Sequence, residues 1–229
     1  MTQTNQKLQH MSAALLGTAL PVLILGRSVF AVIICIAIFL ILFDVIKTAS
    51  FTDIRNTFIT EWKRPLAIFL TVVFILCIPS IINAEEPLHS FISPGRTLGF
   101  CFIGTLFYVY LKARPNLTKV WMKWLVISSV IAIGLAFYSQ FVHPELYWFL
   151  HLKGWSNNPL INTLKGYTAL AVFIVPLLIF SAYQGRTYLS IVAIVSALLL
   201  LILMWQLANR ATIAGLLAAI ICLSIAVCA

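Results

Sequence analysis

The chain has 229 residues, of which 62% are hydrophobic and only 9% are charged, and its mean hydropathy is +1.05. Soluble domains carry about 25% charged residues, so this composition excludes a water-soluble globular protein and indicates an integral membrane protein. The apolar runs are long enough for membrane-spanning helices, and the short alternating segments of an outer-membrane barrel are absent from the sequence.

Apolar segments predict eight membrane-spanning helices, at about 11–25, 29–46, 65–83, 95–111, 121–141, 160–183, 187–206 and 211–229. The connections between them carry helix breakers and charges, such as GRS after the first segment and YQGR before the seventh. No linker or low-complexity tract divides the chain. The predicted fold class is therefore an all-α, polytopic helical membrane bundle of about eight transmembrane helices, forming a single transmembrane domain over residues 1–229.

The basic residues predict the orientation of this bundle. With the N-terminus in the cytoplasm, the inner side holds ten of the Lys and Arg residues, namely Lys7, Lys47, Arg55, Lys63, Arg64, Lys112, Arg114, Lys119, Lys123 and Arg186. The outer side then holds five, namely Arg27, Arg96, Lys153, Lys165 and Arg210. Positive residues favour the cytoplasmic side, so residues 47–64 and 112–120 are predicted to be cytoplasmic and 142–159 periplasmic. The same bias accounts for the net charge of +9 without a nucleic-acid partner.

Residues 187–229 contain one polar break, the sequence ANR that ends at Arg210. As one helix this stretch would extend roughly 65 Å, about twice the thickness of the hydrocarbon layer. The chain must therefore reverse, which puts Arg210 at the outer surface at the start of the eighth segment. Two interpretations follow: a turn residue whose side chain reaches the lipid headgroups, or a phosphate-binding group beside the free N–H groups of a helix.

The sequence around this arginine, LLLILMWQLANRATIAGLLAAI at 199–220, resembles the signature of the O-antigen ligase and polymerase superfamily. The family usually has Ser or Thr before the arginine, and this chain has Asn209, which keeps a hydrogen-bonding side chain. The preceding segment, NPLINTLKGYTALAVFIVPLL at 158–178, resembles the corresponding membrane segment of the ligases. The specific resemblance is confined to the last third of the chain, and the rest agrees by hydropathy.

This resemblance implies an O-antigen ligase of the bacterial inner membrane. Such an enzyme transfers a glycan from undecaprenyl pyrophosphate to a sugar hydroxyl of the lipid A core on the periplasmic face, with membrane lipids around it and no metal or other cofactor. It also implies that Arg210 contacts the pyrophosphate and is catalytic. Two alternatives are an O-antigen polymerase of the same superfamily, whose acceptor is another lipid-linked unit, and a transporter or flippase of lipid-linked glycans.

Members of the superfamily continue past the position of Ala229 into a large periplasmic loop, which carries a second arginine and a histidine proposed as the base. The histidines of this chain do not correspond to that residue. We therefore expect the chain to be the N-terminal part of a longer enzyme and to be inactive alone.

Two further outer cations are candidates for substrate binding. Lys165 lies near the outer end of the sixth segment, where it either snorkels to the interface or adds a positive charge for the pyrophosphate. Arg96, in SPGRTLGF, is predicted to open the fourth segment, where a helix N-terminus would help it to bind an anion.

The remaining polar residues are expected to be structural. Asp44, near the inner end of the second segment, is expected to pair with Lys47, and Glu85 and Glu86 are expected in a solvated turn. The five cysteines lie in apolar runs without a C-x-x-C pair, which indicates packing. The sequence contains no metal-binding motif.

Overall fold

The computed structural model of the chain describes residues 3–47, 51–63, 71–72, 75, 78–79, 87–150, 161–184, 187–207, 213–215 and 217. No strand occurs in these ranges, which confirms the all-α class for the described part. The helices are α1 (Gln3–Ala19), α2 (Arg27–Lys47), α3 (Phe51–Trp62), α4 (Pro87–Lys112), α5 (Pro115–Phe141), α6 (Pro144–Leu150), α7 (Ile161–Gln184) and α8 (Thr187–Gln206), with a 3₁₀ turn at Pro21–Leu25.

Three of the described helical segments are long and apolar enough to cross a membrane: Ser28–Lys47, Pro115–Phe141 and Tyr188–Gln206. They expose large apolar side chains, including Phe39 at 67%, Ile131 at 59% and Trp205 at 76%. Apolar surface of this extent is unfavourable in water and matches the hydrocarbon of a lipid bilayer. The protein is therefore a membrane protein. The predicted segments 65–83 and 211–229 lie mostly outside the described residues.

Prolines set several helix boundaries that differ from the predicted ones. Pro87 begins α4 and Pro115 begins α5, ahead of the predicted starts at 95 and 121. Proline suits the first helical position because its missing N–H would have no partner there. Pro21 separates α1 from the 3₁₀ turn, so the predicted first segment 11–25 is not one continuous α-helix. Gly26 follows with a φ of 112°, a conformation that glycine adopts without strain.

Helix α3 occupies a segment that was predicted as a cytoplasmic connection. Its aromatic residues pack on α4: Phe58 stacks on Trp62 with a centroid distance of 5.5 Å, and Phe102 of α4 lies 5.4 Å from Phe58. Ile54 is buried on the same helix. Because α3 also contains many polar residues, its average hydropathy is low. Hydropathy therefore predicts a connection at this position.

The chain forms two compact units. The discontinuous unit consists of Met1–Leu40 and Lys119–Ala229, and the central unit consists of Ile41–Thr118.

Helices α7 and α8 form the core of the discontinuous unit as an antiparallel hairpin. Near the connection, the Ser190 hydroxyl donates a hydrogen bond to the Ala182 carbonyl oxygen at 2.6 Å. Buried apolar residues of both helices pack together along the hairpin, among them Ile174, Leu178, Leu200 and Leu203. We call the opposite end, where α7 begins and α8 ends, the open end of the hairpin.

Helix α1 crosses α5 in close contact in the discontinuous unit. The contact is centred on Gly17, where an added Cβ atom would lie 2.5 Å from the Trp121 carbonyl oxygen. Ala13, one turn earlier, is fully buried. Small residues at this spacing let the backbones of two helices approach each other.

Candidate functional site

The structure describes the three cations predicted for the substrate site to different extents. Arg210 lies outside the described residues. Lys165 is in the second turn of α7 and Arg96 is in α4, and the side chains of both lie outside the described part. Because α4 begins at Pro87, Arg96 is not at the start of a helix, and that prediction is wrong. Its predicted phosphate role now depends on its charge alone.

The open end of the hairpin brings together the sequence neighbours of Lys165 and of Arg210. Leu164 and Tyr167, beside Lys165, belong to the main hydrophobic cluster of the discontinuous unit. Leu207, just past the end of α8, belongs to the same cluster, and Ile213 packs against it. The residues that flank both cations therefore share one core.

Aromatic residues of α6 pack on that core as well. Tyr147 belongs to the cluster and Trp148 packs against it, with their rings 5.8 Å apart in an edge-to-face arrangement. Burial raises the pKa of the Tyr147 hydroxyl above its usual value, so it is a neutral hydrogen-bonding group at physiological pH.

Several buried polar atoms in the discontinuous unit have no hydrogen-bond partner among the described residues. They are the hydroxyl oxygens of Ser129, Tyr167 and Ser181 and the amide oxygen of Gln140. A buried polar group without a partner costs about 1–3 kcal/mol. Tyr167 is the one that lies near a predicted site residue, two positions after Lys165.

The central unit contains a buried ion pair that the sequence reasoning did not predict. Asp44 is 1% exposed, and its Oδ2 atom lies 2.8 Å from Nη2 of Arg114. The Tyr110 hydroxyl donates a hydrogen bond to the same oxygen at 3.2 Å, and the Arg114 guanidinium stacks on the Tyr110 ring at 4.6 Å. The expected partner was Lys47, but the structure pairs Asp44 with Arg114 and places the Lys47 ammonium 5.7 Å from the Phe43 ring.

A second ion pair links α3 to the end of α4. The Nζ atom of Lys112 lies 2.6 Å from Oε1 of Glu61, whose side chain is buried, whereas the Lys112 side chain is 44% exposed. Both carboxylates of these pairs are held by a cation within the central unit. They connect helix ends, and neither is available as a general base without breaking its pair.

The sequence contained a usable indication of the first pair. Asp44 and Arg114 were both assigned to the cytoplasmic side, which makes them possible partners. Lys47, the expected partner, is closer in sequence, three residues from Asp44 on the same helix. Arg114, the partner in the structure, is far from Asp44 in sequence, in the connection between α4 and α5.

The other described features do not indicate a catalytic or metal-binding site. An apolar groove of about 330 Å³ runs between α5 and α8, and its lining, which includes Gly134, Phe137 and Val195, contains no titratable side chain. Within the described ranges, no group of three or more His, Cys, Asp or Glu residues could hold a metal ion.

Comparison of the chain with protein families, with curated proteins and with solved structures finds no match.

Proposed function

We propose that this protein belongs to the O-antigen ligase and polymerase superfamily and is a multi-pass protein of the bacterial inner membrane, with about eight spans and a cytoplasmic N-terminus. In the whole enzyme, it transfers a glycan from undecaprenyl pyrophosphate to the lipid A core on the periplasmic face. The observation that carries the proposal is the arginine signature at 199–220 together with α8. This apolar helix runs from Thr187 to Gln206 and ends four residues before Arg210.

The chemistry of such a transfer matches the cations of this chain. Cleavage of the bond between the sugar and the pyrophosphate leaves negative charge on the leaving group. A preorganised cation stabilises that charge most strongly where water is excluded. The planar guanidinium of Arg210 can donate to two phosphate oxygens at once and does not lose its charge.

The hairpin geometry supports a second cation beside Arg210. Antiparallel packing of α7 and α8 puts the first turns of α7 and the last turn of α8 at the same end. Lys165 is in that part of α7. We therefore propose Lys165 as a substrate-binding residue and, from its charge alone, Arg96 as well.

The alternatives differ in testable ways. A polymerase of the same superfamily would use the same donor and differ in its acceptor. Transporters and flippases usually have ionisable groups near the middle of the membrane. The buried charges in the described part lie near helix ends instead: Asp44 is three residues from the end of α2, and Glu61 is next to last in α3. We therefore favour the enzyme.

The test replaces Arg210 in the whole enzyme by Lys and by Ala. The assay measures glycan transfer from undecaprenyl pyrophosphate to lipid A core in membranes, normalised to protein level. Loss of a group that stabilises transition-state charge typically reduces the rate about 100- to 1000-fold, and we expect both variants to show it. Arg186→Lys, in the connection between α7 and α8, is the matched control and should retain activity.

Near-normal transfer by Arg210→Lys would contradict the proposal. A lysine keeps the positive charge and can reach the membrane interface, but it lacks the planar guanidinium that donates to two phosphate oxygens at once. Offering a second lipid-linked glycan as the acceptor separates the two members of the superfamily, since only a polymerase would use it.

A further inference from the structure

We infer that Tyr167 is a ligand of the lipid pyrophosphate and donates a hydrogen bond from its phenolic hydroxyl to a phosphate oxygen. This inference rests on the proposed function, and it adds a neutral donor from α7 to the cations already named. Three observations support it. Tyr167 is buried, its hydroxyl has no hydrogen-bond partner among the described residues, and it lies at the open end of the hairpin.

The hydroxyl is in an unfavourable environment as the protein stands. Tyr167 is only 4% exposed, and its hydroxyl oxygen has no hydrogen-bond partner among the described residues. Phenylalanine would fill the same space without burying a polar atom. A tyrosine is favoured at this position if an acceptor reaches the hydroxyl, and a phosphate oxygen is a strong acceptor of that kind.

Helix register puts Tyr167 on the face of α7 that packs inside the unit. Leu164, Tyr167 and Thr168 are all buried and have the spacing of one helix face. Tyr167 therefore lies on the face of α7 that packs in the core of the discontinuous unit.

The level of Tyr167 along the hairpin is close to that of the arginine signature. Counted from the connection between the two helices, Tyr167 and Met204 are at equal positions. The number of residues from Tyr167 to the end of α7 at Gln184 equals the number from the start of α8 at Thr187 to Met204. With equal rise per residue the two are at about the same height, and both belong to the same buried cluster. Met204 itself belongs to the arginine signature at 199–220, so the described part of the signature and Tyr167 lie at one level of the hairpin.

The test uses the whole enzyme in detergent or nanodiscs and measures binding of undecaprenyl pyrophosphate without a glycan. Undecaprenol, which has the same chain and no phosphate, is the reference ligand. We expect Tyr167→Phe to weaken binding of the pyrophosphate about 10- to 100-fold, the usual range for a hydrogen bond to a charged group. Binding of undecaprenol should not change, and the ligand-free variant should be at least as heat-stable as the wild type.

Ser181→Ala is the matched control, because Ser181 is a second fully buried hydroxyl of α7 without a partner among the described residues. It lies about 21 Å from Tyr167 along the helix, away from the open end. This variant should bind both ligands like the wild type.

Wild-type affinity of Tyr167→Phe for the pyrophosphate would overturn the inference, and so would a loss of stability in the ligand-free variant, which would mark a structural hydroxyl. The proposed function fails separately, if the wild-type enzyme binds the pyrophosphate no better than undecaprenol and transfers no glycan.

Discussion

Replacing Gly17 by alanine should force α1 and α5 apart. The added Cβ atom would lie 2.5 Å from the Trp121 carbonyl oxygen and 2.9 Å from the Leu125 amide nitrogen. Both neighbours are backbone atoms, so rotating a side chain cannot relieve the contact. Because Cβ atoms essentially never approach other atoms within 3.0 Å, the helices must separate by several tenths of an ångström or more.

The expected magnitude follows from two opposing effects. Overpacking in a well-packed core typically costs about 1–3 kcal/mol. Alanine is also a better helix former than glycine, by about 1 kcal/mol. Gly134→Ala isolates the second effect, since its Cβ atom would meet nothing within 4 Å. Gly17→Ala should therefore be less stable than Gly134→Ala by about 1–3 kcal/mol.

The comparison is made by thermal unfolding of both variants in the same detergent, followed by tryptophan fluorescence. For a chain of this size, 1 kcal/mol changes Tm by about 2–4 °C, so Gly17→Ala should unfold about 2–12 °C below Gly134→Ala. Trp121 and Trp124, which lie at the contact, report on the separation directly. Equal melting temperatures would refute the close approach of α1 and α5.

Two further predictions concern the ion pairs and the topology. Asp44→Asn should lower the free energy of unfolding by about 3–5 kcal/mol, because it leaves the mostly buried Arg114 side chain without its carboxylate. Glu61→Gln should lower the free energy of unfolding by less than about 1 kcal/mol, because Lys112 is partly solvated. Thermal unfolding measures both variants, and equal losses of stability would contradict the idea that burial of the cation makes the Asp44 pair the more important one. Cysteine labelling should report Asn56 and Asn116 as cytoplasmic and Asn157 as periplasmic. The opposite result at Asn116 and Asn157 would reverse the predicted orientation.

The sequence predicts the long apolar helices well. The seventh segment, 187–206, has the same bounds as α8, and the predicted 29–46 and 160–183 differ by one or two residues at each end from α2 and α7. In these segments hydrophobicity changes sharply at both ends, so hydropathy alone marks the boundary. Where the boundary is set by proline, as at Pro87 and Pro115, hydropathy starts the helix too late.

The site is harder to predict because its geometry depends on contacts between distant segments. The sequence predicts Arg210 and Lys165 as outer cations, but it does not indicate that the buried hydroxyl of Tyr167 has no partner among the described residues. That property depends on how α7 packs in the core, and a tyrosine in an apolar segment looks like an ordinary packing residue. The Asp44 pair was missed for the same reason, since local spacing favoured Lys47 over a residue in the connection before α5.

The contact between α1 and α5 also has a consequence for the order of biosynthesis. The Ser128 hydroxyl lies 3.5 Å from the Gly17 carbonyl oxygen, although the two residues are 111 positions apart. At about 5–20 residues per second, a ribosome needs on the order of 5–20 s to make the intervening chain. The central unit is continuous in sequence and can form in that interval. A ribosome that stalls before α5 would therefore leave the small-residue face of α1 without its partner helix, where quality-control proteases could recognise it.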